Sequence, residues 1–207
     1  MATLHCIYDP FCGWCYGSAP LVQAARRVEG LSIELHGGGM MAGNNRQQMT
    51  PQLRDFILQH DQRIAATSGQ PFGEGYRALL NDATVWLDST PPTMAIVAAG
   101  RFGKGLDMLD RVQRAHFVEG RRITEARVLI ELAEELGIPR EEFVPVFAAA
   151  MEAPGSHIRE SRELLQRVGG SGFPTFALEK DGQIQMLANA QYLGKPEAWR
   201  QMLEQSI

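Results

Sequence analysis

Strand-like runs occur only near the two ends of this chain, and almost everything between them is patterned as helix. Leu4-His5-Cys6-Ile7-Tyr8 reads as a buried strand and Asp9-Pro10-Phe11 as the turn out of it. From Trp14 to about Val28, apolar residues fall at Leu21, Val22, Ala25 and Val28, a helical spacing. Ser32 to His36 is a second short strand, ended by Gly37-Gly38-Gly39. The strand pattern returns only after Gly169-Gly170-Ser171-Gly172, as Thr175 to Leu178 and Gln183 to Leu187 about a Lys180-Asp181-Gly182 hairpin turn. Pro196 then opens a last helix with Trp199, Met202 and Leu203 on one face. A β-α-β unit places two parallel strands beside each other across a helix. The layout β-α-β, helical block, β-β-α therefore predicts an α/β fold whose four-stranded mixed sheet forms when the distant ends meet. Residues 1–48 and 169–207 are expected to build the sheet domain, and residues 49–168 to be an all-helical insertion.

Inside the insertion, Thr50 is an N-cap candidate with Pro51 as first helical residue. Thr124 is expected to cap a second helix, with Ile123 and Val128 as a hydrophobic staple and Val128, Leu129, Leu132, Ala133 and Leu136 as its apolar face, ended by Gly137. Ser156 is expected to start a helix that buries Leu164, Leu165 and Val168. Pro91-Pro92, Gly103 to Gly105 and Pro154-Gly155 read as punctuation. No internal repeat or low-complexity tract is present.

The chemistry is concentrated at Cys12-Gly13-Trp14-Cys15, between the first strand and the first helix. A helix N-terminus beneath Cys12 favours its thiolate, the nucleophile of thiol–disulfide exchange. Cys12 is thus the expected attacking thiol. Cys15, about one helical turn deeper and expected to be more buried, is the resolving thiol. The competing reading of such a pair is half a zinc site, which needs four Cys or His ligands. The chain has three cysteines and no second CxxC. The nearby donors His5 and Cys6 are neighbours on a strand, so their side chains leave opposite faces. Redox chemistry is the favoured reading and no metal site is expected; Cys6 is read as a small core residue.

Net charge is −4, with 44% hydrophobic and 21% charged residues among 207, the balance of an ordinary globular protein and not of a nucleic-acid binder. No segment has the length of a membrane span, and the Met-Ala-Thr-Leu-His start lacks a secretory pattern. The expected compartment is the cytoplasm, where disulfides are transient and catalytic. Trp86 and Phe72 are candidate walls of a cleft, although core is the commoner role for such residues. His116 lies among Arg111, Arg114 and Arg121, a cluster suited either to an anionic ligand or, more simply, to a solvated helix face.

Three stretches carry a family resemblance: Tyr8-Asp9-Pro10-Phe11-Cys12-Gly13-Trp14-Cys15-Tyr16-Gly17, Phe117-Val118-Glu119-Gly120-Arg121 and Gly172-Phe173-Pro174-Thr175-Phe176. With the strand order and the large helical insertion, they resemble the DsbA-like group of thioredoxin-fold oxidoreductases. The FrnE-like branch is the nearest subgroup, related to kappa-class glutathione transferases and 2-hydroxychromene-2-carboxylate isomerases. The chain departs from the group at Arg122, where the pattern carries an acidic residue. Kappa-class enzymes carry serine at the position of Cys12, so two cysteines favour dithiol chemistry.

The resemblance implies a cis bond before Pro174, facing the redox pair and leaving the backbone N–H and C=O of Phe173 free for an extended peptide. Phe11, Gly13, Trp14, Phe173 and Pro174 are accordingly the expected substrate-binding residues. It also implies a cytoplasmic thiol–disulfide oxidoreductase with glutathione as co-substrate and no tightly bound cofactor. Its partners would be glutathione and disulfide-containing proteins or small molecules, with neither nucleic acid nor membrane, and a homodimer is left open. A glutathione-dependent isomerase or kappa-class-like transferase for a small aromatic substrate is the alternative, and a redox-sensing binding protein ranks last.

Overall fold

The computed structural model describes residues 2–207. Strand β1 (Ala2–Tyr8) leads through a turn to α1 (Gly13–Gly17) and α2 (Ala19–Ala25), and β2 (Leu31–Gly37) follows. The expected single helix from Trp14 to Val28 is broken at Ser18. Pro20 has no N–H to continue the i→i−4 ladder and sits instead in the first turn of a new helix. A two-residue strand, β3 (Gln47–Gln48), precedes α3 (Pro51–Ser68) and α4 (Glu74–Leu80) and pairs antiparallel with β4 (Trp86–Leu87), a ribbon the sequence reading did not anticipate. Helices α5 (Thr90–Gly100), α6 (Gly105–Phe117), α7 (Ala126–Glu135), α8 (Arg140–Glu152) and α9 (Pro154–Arg167) complete the insertion. The chain closes with β5 (Thr175–Lys180), β6 (Gln183–Leu187) and α10 (Pro196–Ser206).

Thr50 caps α3, its hydroxyl accepting the Leu53 N–H at 3.2 Å. Thr124 does not cap α7. The N-cap is Glu125, without a side-chain bond, and Ile123 is buried one residue too early for a staple with Val128. Ser156 sits inside α9, which starts two residues earlier at Pro154. Both Pro91-Pro92 and Pro154 occupy first helical turns, where a missing N–H costs nothing, so they begin helices where the sequence reading took them as breaks.

The sheet order is β2-β1-β5-β6, with β1 parallel to β2 and antiparallel to β5. The β5–β6 turn holds only Asp181 and Gly182, at φ 52° and 77°, as a two-residue hairpin loop with φ positive at both residues requires. β1 is central and covered on both faces, which is why it reads as an almost unbroken apolar run. Leu4, Cys6 and Tyr8 join one buried cluster that extends through α2, α5, α6, α7, α8 and Trp199 of α10. Ile7 points the other way, onto Leu164 and Leu165 of α9. The sheet brings the end of β1 beside the start of β5, so residues 12–15 meet residues 173–174 across more than 150 positions of sequence.

Candidate active site

The turn out of β1 is fixed by a buried carboxylate. Asp9 accepts the N–H groups of Phe11 at 2.9 Å and of Met40 at 2.5 Å, tying the loop before Cys12 to the loop after β2. Burial pushes the Asp9 carboxyl up, against the pull of Ser89 and those two backbone donors. Cys12 is the N-cap of α1: its Sγ accepts the Cys15 N–H at 3.3 Å. The same sulfur donates to the Phe173 carbonyl at 3.3 Å. The Phe173–Pro174 bond is cis, as the resemblance implied. The expectation that the Phe173 carbonyl is free is corrected, because in this dithiol state the Cys12 thiol occupies it.

The two thiols are nearly equally buried, at 7% and 5% exposure, so depth alone does not separate them. What separates them is the side they face. Cys12 lies on the wall of a cavity of about 210 Å³. Cys15 faces the interior beside Cys6, Tyr8 and Pro174. Burial pushes the Cys15 thiol well up, and the neighbouring Cys12 sulfur raises it further. Cys6 is fully buried and its thiol is pushed up to about 12 by burial alone, which fits a core residue.

Helix α3 lies over the dithiol turn. Ile64 wedges against Gly13 and Gly17: a Cβ on either glycine would come within 2.7 or 2.8 Å of its side chain. Gly13 is therefore needed for this close approach, beyond any effect on the turn. Phe173 is seated in the same manner, its ring filling the space where a Cβ on Gly38 would lie. Phe11, Gly13 and Trp14 line the cavity with Cys12, and Phe173 with its cis-Pro174 stands at its Cys12 side.

The far wall comes from residues that the sequence reading passed over. Leu53, Phe56, Ile57, His60, Asp61 and Ile64 form one face of α3, and Met40, Met41 and Tyr76 join them. Their i, i+3, i+4 spacing reads as an ordinary core stripe, yet Phe56 is 58% exposed, as the rim of an open groove requires. Asp61 accepts the Tyr76 hydroxyl at 3.1 Å, and burial pushes its carboxyl up to about 6 against that bond.

The other candidates fall elsewhere. Trp86 is half exposed on β4 and lines no part of this cavity; its neighbour Leu87 does. Phe72 packs among Tyr16, Tyr76 and Phe117 and, as a cleft wall, lines a neighbouring cavity that shares Asp61 and Tyr76 with that of Cys12. His116 is separated from the arginines. It is buried in the cavity wall, edge-on to Phe11 and Tyr76, and burial pushes its ring down to about 3. Arg111 and Arg121 are instead paired with Glu119, Glu131 and Glu135, a solvated network. The departure at Arg122 is taken up by Asp82 and Thr84.

Comparison with known proteins places this geometry. Residues 3–195 match the model of the DSBA-like thioredoxin domain. The cytosolic disulfide reductase DsbM from Pseudomonas aeruginosa is 51% identical, with a TM-score of 0.93 over 99% of this chain and 98% of that one. The structure of that enzyme with GSH matches at 49% identity, TM-score 0.91 and the same coverage. A 2-hydroxychromene-2-carboxylate isomerase shares the fold at 17% identity and TM-score 0.63, over 99% and 97% of the two chains. No curated protein matches the chain.

Proposed function

The chain belongs to the DSBA-like thioredoxin family, a family of thiol–disulfide oxidoreductases, and from that premise we propose that it is a cytosolic disulfide reductase that draws its electrons from glutathione. The observation that carries the reading is the asymmetry of the dithiol: Cys12 opens on an apolar cavity, held between the Cys15 N–H and the Phe173 carbonyl, while Cys15 is sealed behind it with its thiol held protonated. The relative that shares half of its residues is a cytosolic disulfide reductase whose structure has been determined with GSH.

In this reading a substrate disulfide enters along α3 and rests against Phe11, Gly13, Trp14, Phe173 and Pro174. The Cys12 thiol gives up its proton and releases the Phe173 carbonyl, which then accepts from the backbone of an extended substrate. The Cys12 thiolate attacks one substrate sulfur; a mixed disulfide forms and the other sulfur departs and takes a proton. Cys15 loses its proton and attacks the Cys12 sulfur, forming the Cys12–Cys15 disulfide and expelling the second substrate thiol. One glutathione thiolate opens that disulfide as a mixed disulfide on Cys12. A second attacks the bound glutathione sulfur, which leaves as glutathione disulfide and restores the dithiol. Two electrons pass from two glutathiones to one substrate. The isomerase or transferase alternative gains no observation, since it rests on a likeness in fold.

Intact-protein mass spectrometry across glutathione redox buffers tests this. Wild type is expected to interconvert dithiol and internal disulfide, and Cys15→Ser to hold one glutathione on Cys12. Disulfide reduction that survives Cys12→Ser, or tight glutathione binding with no covalent step in either protein, would overturn the dithiol mechanism.

A further inference from the structure

No metal site is expected from the sequence, but the fold assembles a donor set that neighbouring positions in sequence do not reveal. We infer that His5, Glu34 and His36 form a zinc-binding site on the face of the sheet opposite Cys6. His5 of β1 stands in register with Glu34 of β2, and His36 lies two residues further along the same side of β2. His5 Nδ1 is 2.9 Å from His36 Nε2 and 3.6 Å from a Glu34 carboxylate oxygen, and His36 Nε2 is 3.8 Å from that oxygen. Three donors so spaced have a common point about 2.0 Å from each, the length of zinc–nitrogen and zinc–carboxylate bonds. The three atoms lie within 4.8 Å of one another, and small side-chain shifts that raise the ion out of their plane would give zinc its tetrahedral geometry.

A second observation concerns the other nitrogen of His5. His5 Nε2 is 2.9 Å from a carboxylate oxygen of Glu179, on the adjacent strand β5. Proton donation to Glu179 from Nε2 leaves the Nδ1 lone pair facing Glu34 and His36. A carboxylate that orients a ligating imidazole in this way is the usual partner of a metal-bound histidine. Two imidazoles and one carboxylate suit zinc and its borderline neighbours better than the hard cations, which take all-oxygen sites. In the metal-free protein a His36–His5 hydrogen bond occupies the gap. On binding, the His36 Nε2 proton is exchanged for one on Nδ1, and both rings stay neutral. Glu34 is exposed, so the ion has a way in from solvent. Bound there, zinc ties the parallel β1–β2 pair, and through Glu179 it ties β5, at the strand that leads into the dithiol turn.

The test must keep zinc off the CxxC pair, so it uses the tag-free full chain carrying Cys12→Ser and Cys15→Ser, titrated with zinc chloride alone. One equivalent is expected to bind by calorimetry, with a melting temperature that climbs as free zinc rises. X-ray absorption is expected to show nitrogen and oxygen neighbours at about 2.0 Å and no sulfur at about 2.3 Å. Adding Glu34→Gln and His36→Asn is expected to abolish that uptake while the far-ultraviolet circular dichroism stays unchanged. Should the double change disturb folding, Glu34→Gln alone, at an exposed position, is expected to weaken binding at least tenfold. Glu179→Gln is expected to weaken it by about 10- to 100-fold without removing it. No saturable binding, sulfur in the coordination shell, or affinity unmoved by Glu34→Gln would overturn the site and leave His5, His36 and Glu179 as a hydrogen-bonded chain only.

Discussion

Asp61 is an acid placed where water is scarce, a few ångströms from the glycine of the dithiol turn. Folded, it keeps its proton up to about pH 6; unfolded, it loses it near the ordinary carboxylate value of 3.8. Between those values the folded state binds more protons, so this group makes stability fall as pH rises through the window. Asp61→Asn keeps an oxygen for the Tyr76 hydroxyl and removes the charge. The variant is expected to match wild type at about pH 3.5 and, with solvent in the groove screening part of the effect, to exceed it by about 1–2 kcal/mol at about pH 7, by denaturant unfolding at both values. His116 works in the opposite sense. Burial holds its ring neutral down to about pH 3, so the unfolded chain takes up the proton first and stability falls as pH drops below about 6.5. His116→Phe is expected to flatten that acid limb, read from the same denaturation series.

At the scale of elements, close backbone contacts hold the insertion together beside the dithiol turn. A Cβ on Gly120 would lie 2.0 Å from the Gly75 carbonyl oxygen, one on Gly73 would lie 2.0 Å from that of Val118, and one on Gly75 would lie 2.3 Å from that of Glu119. Gly120 also has φ +70°, unfavourable for other residues. Here the Phe117-Val118-Glu119-Gly120-Arg121 motif acquires a structural reason. Phe117 stacks on Tyr16 beside the CxxC turn at 4.7 Å, and Gly120 lets α4 press against the end of α6. Gly120→Ala is expected to cost about 3 kcal/mol or more, because a displaced backbone cannot relax as a side chain can. Denaturant midpoints would measure it, and loss of thiol–disulfide oxidoreductase activity should accompany loss of fold.

Across the whole molecule, the buried cluster does not stop where the insertion begins. Side chains of β1 and α2 share it with α5 to α8, and Trp199 closes it against Phe176. We propose that residues 49–168 are an insertion in topology and do not unfold separately. Near- and far-ultraviolet circular dichroism are then expected to report one coincident transition, and Trp199→Ala to shift both equally by about 3–5 kcal/mol. Two resolved transitions would instead make the insertion an independent unit. Among the described residues no helix is long and apolar enough to cross a membrane.

The sequence by itself determined which segments form the four strands of the main sheet, that this sheet must close from two distant ends, and that Cys12 and Cys15 lie together as a CxxC pair. Each of these rests on local signals: an apolar run, a helical spacing, two thiols across one turn. It also carried the hairpin at Asp181-Gly182, because backbone sterics act within a few residues. It misplaced the caps of α7 and α9 and missed the break at Ser18, where proline chemistry competes with periodicity. Only the tertiary structure decided what faces Cys12. The α3 wall, the buried Asp61, the Gly38 seat of Phe173 and the His5–Glu34–His36 cluster arise from elements that meet across tens of residues. An apolar stripe has the same spacing whether it packs on a core or lines a groove, and three donors on two strands converge only once the register is set.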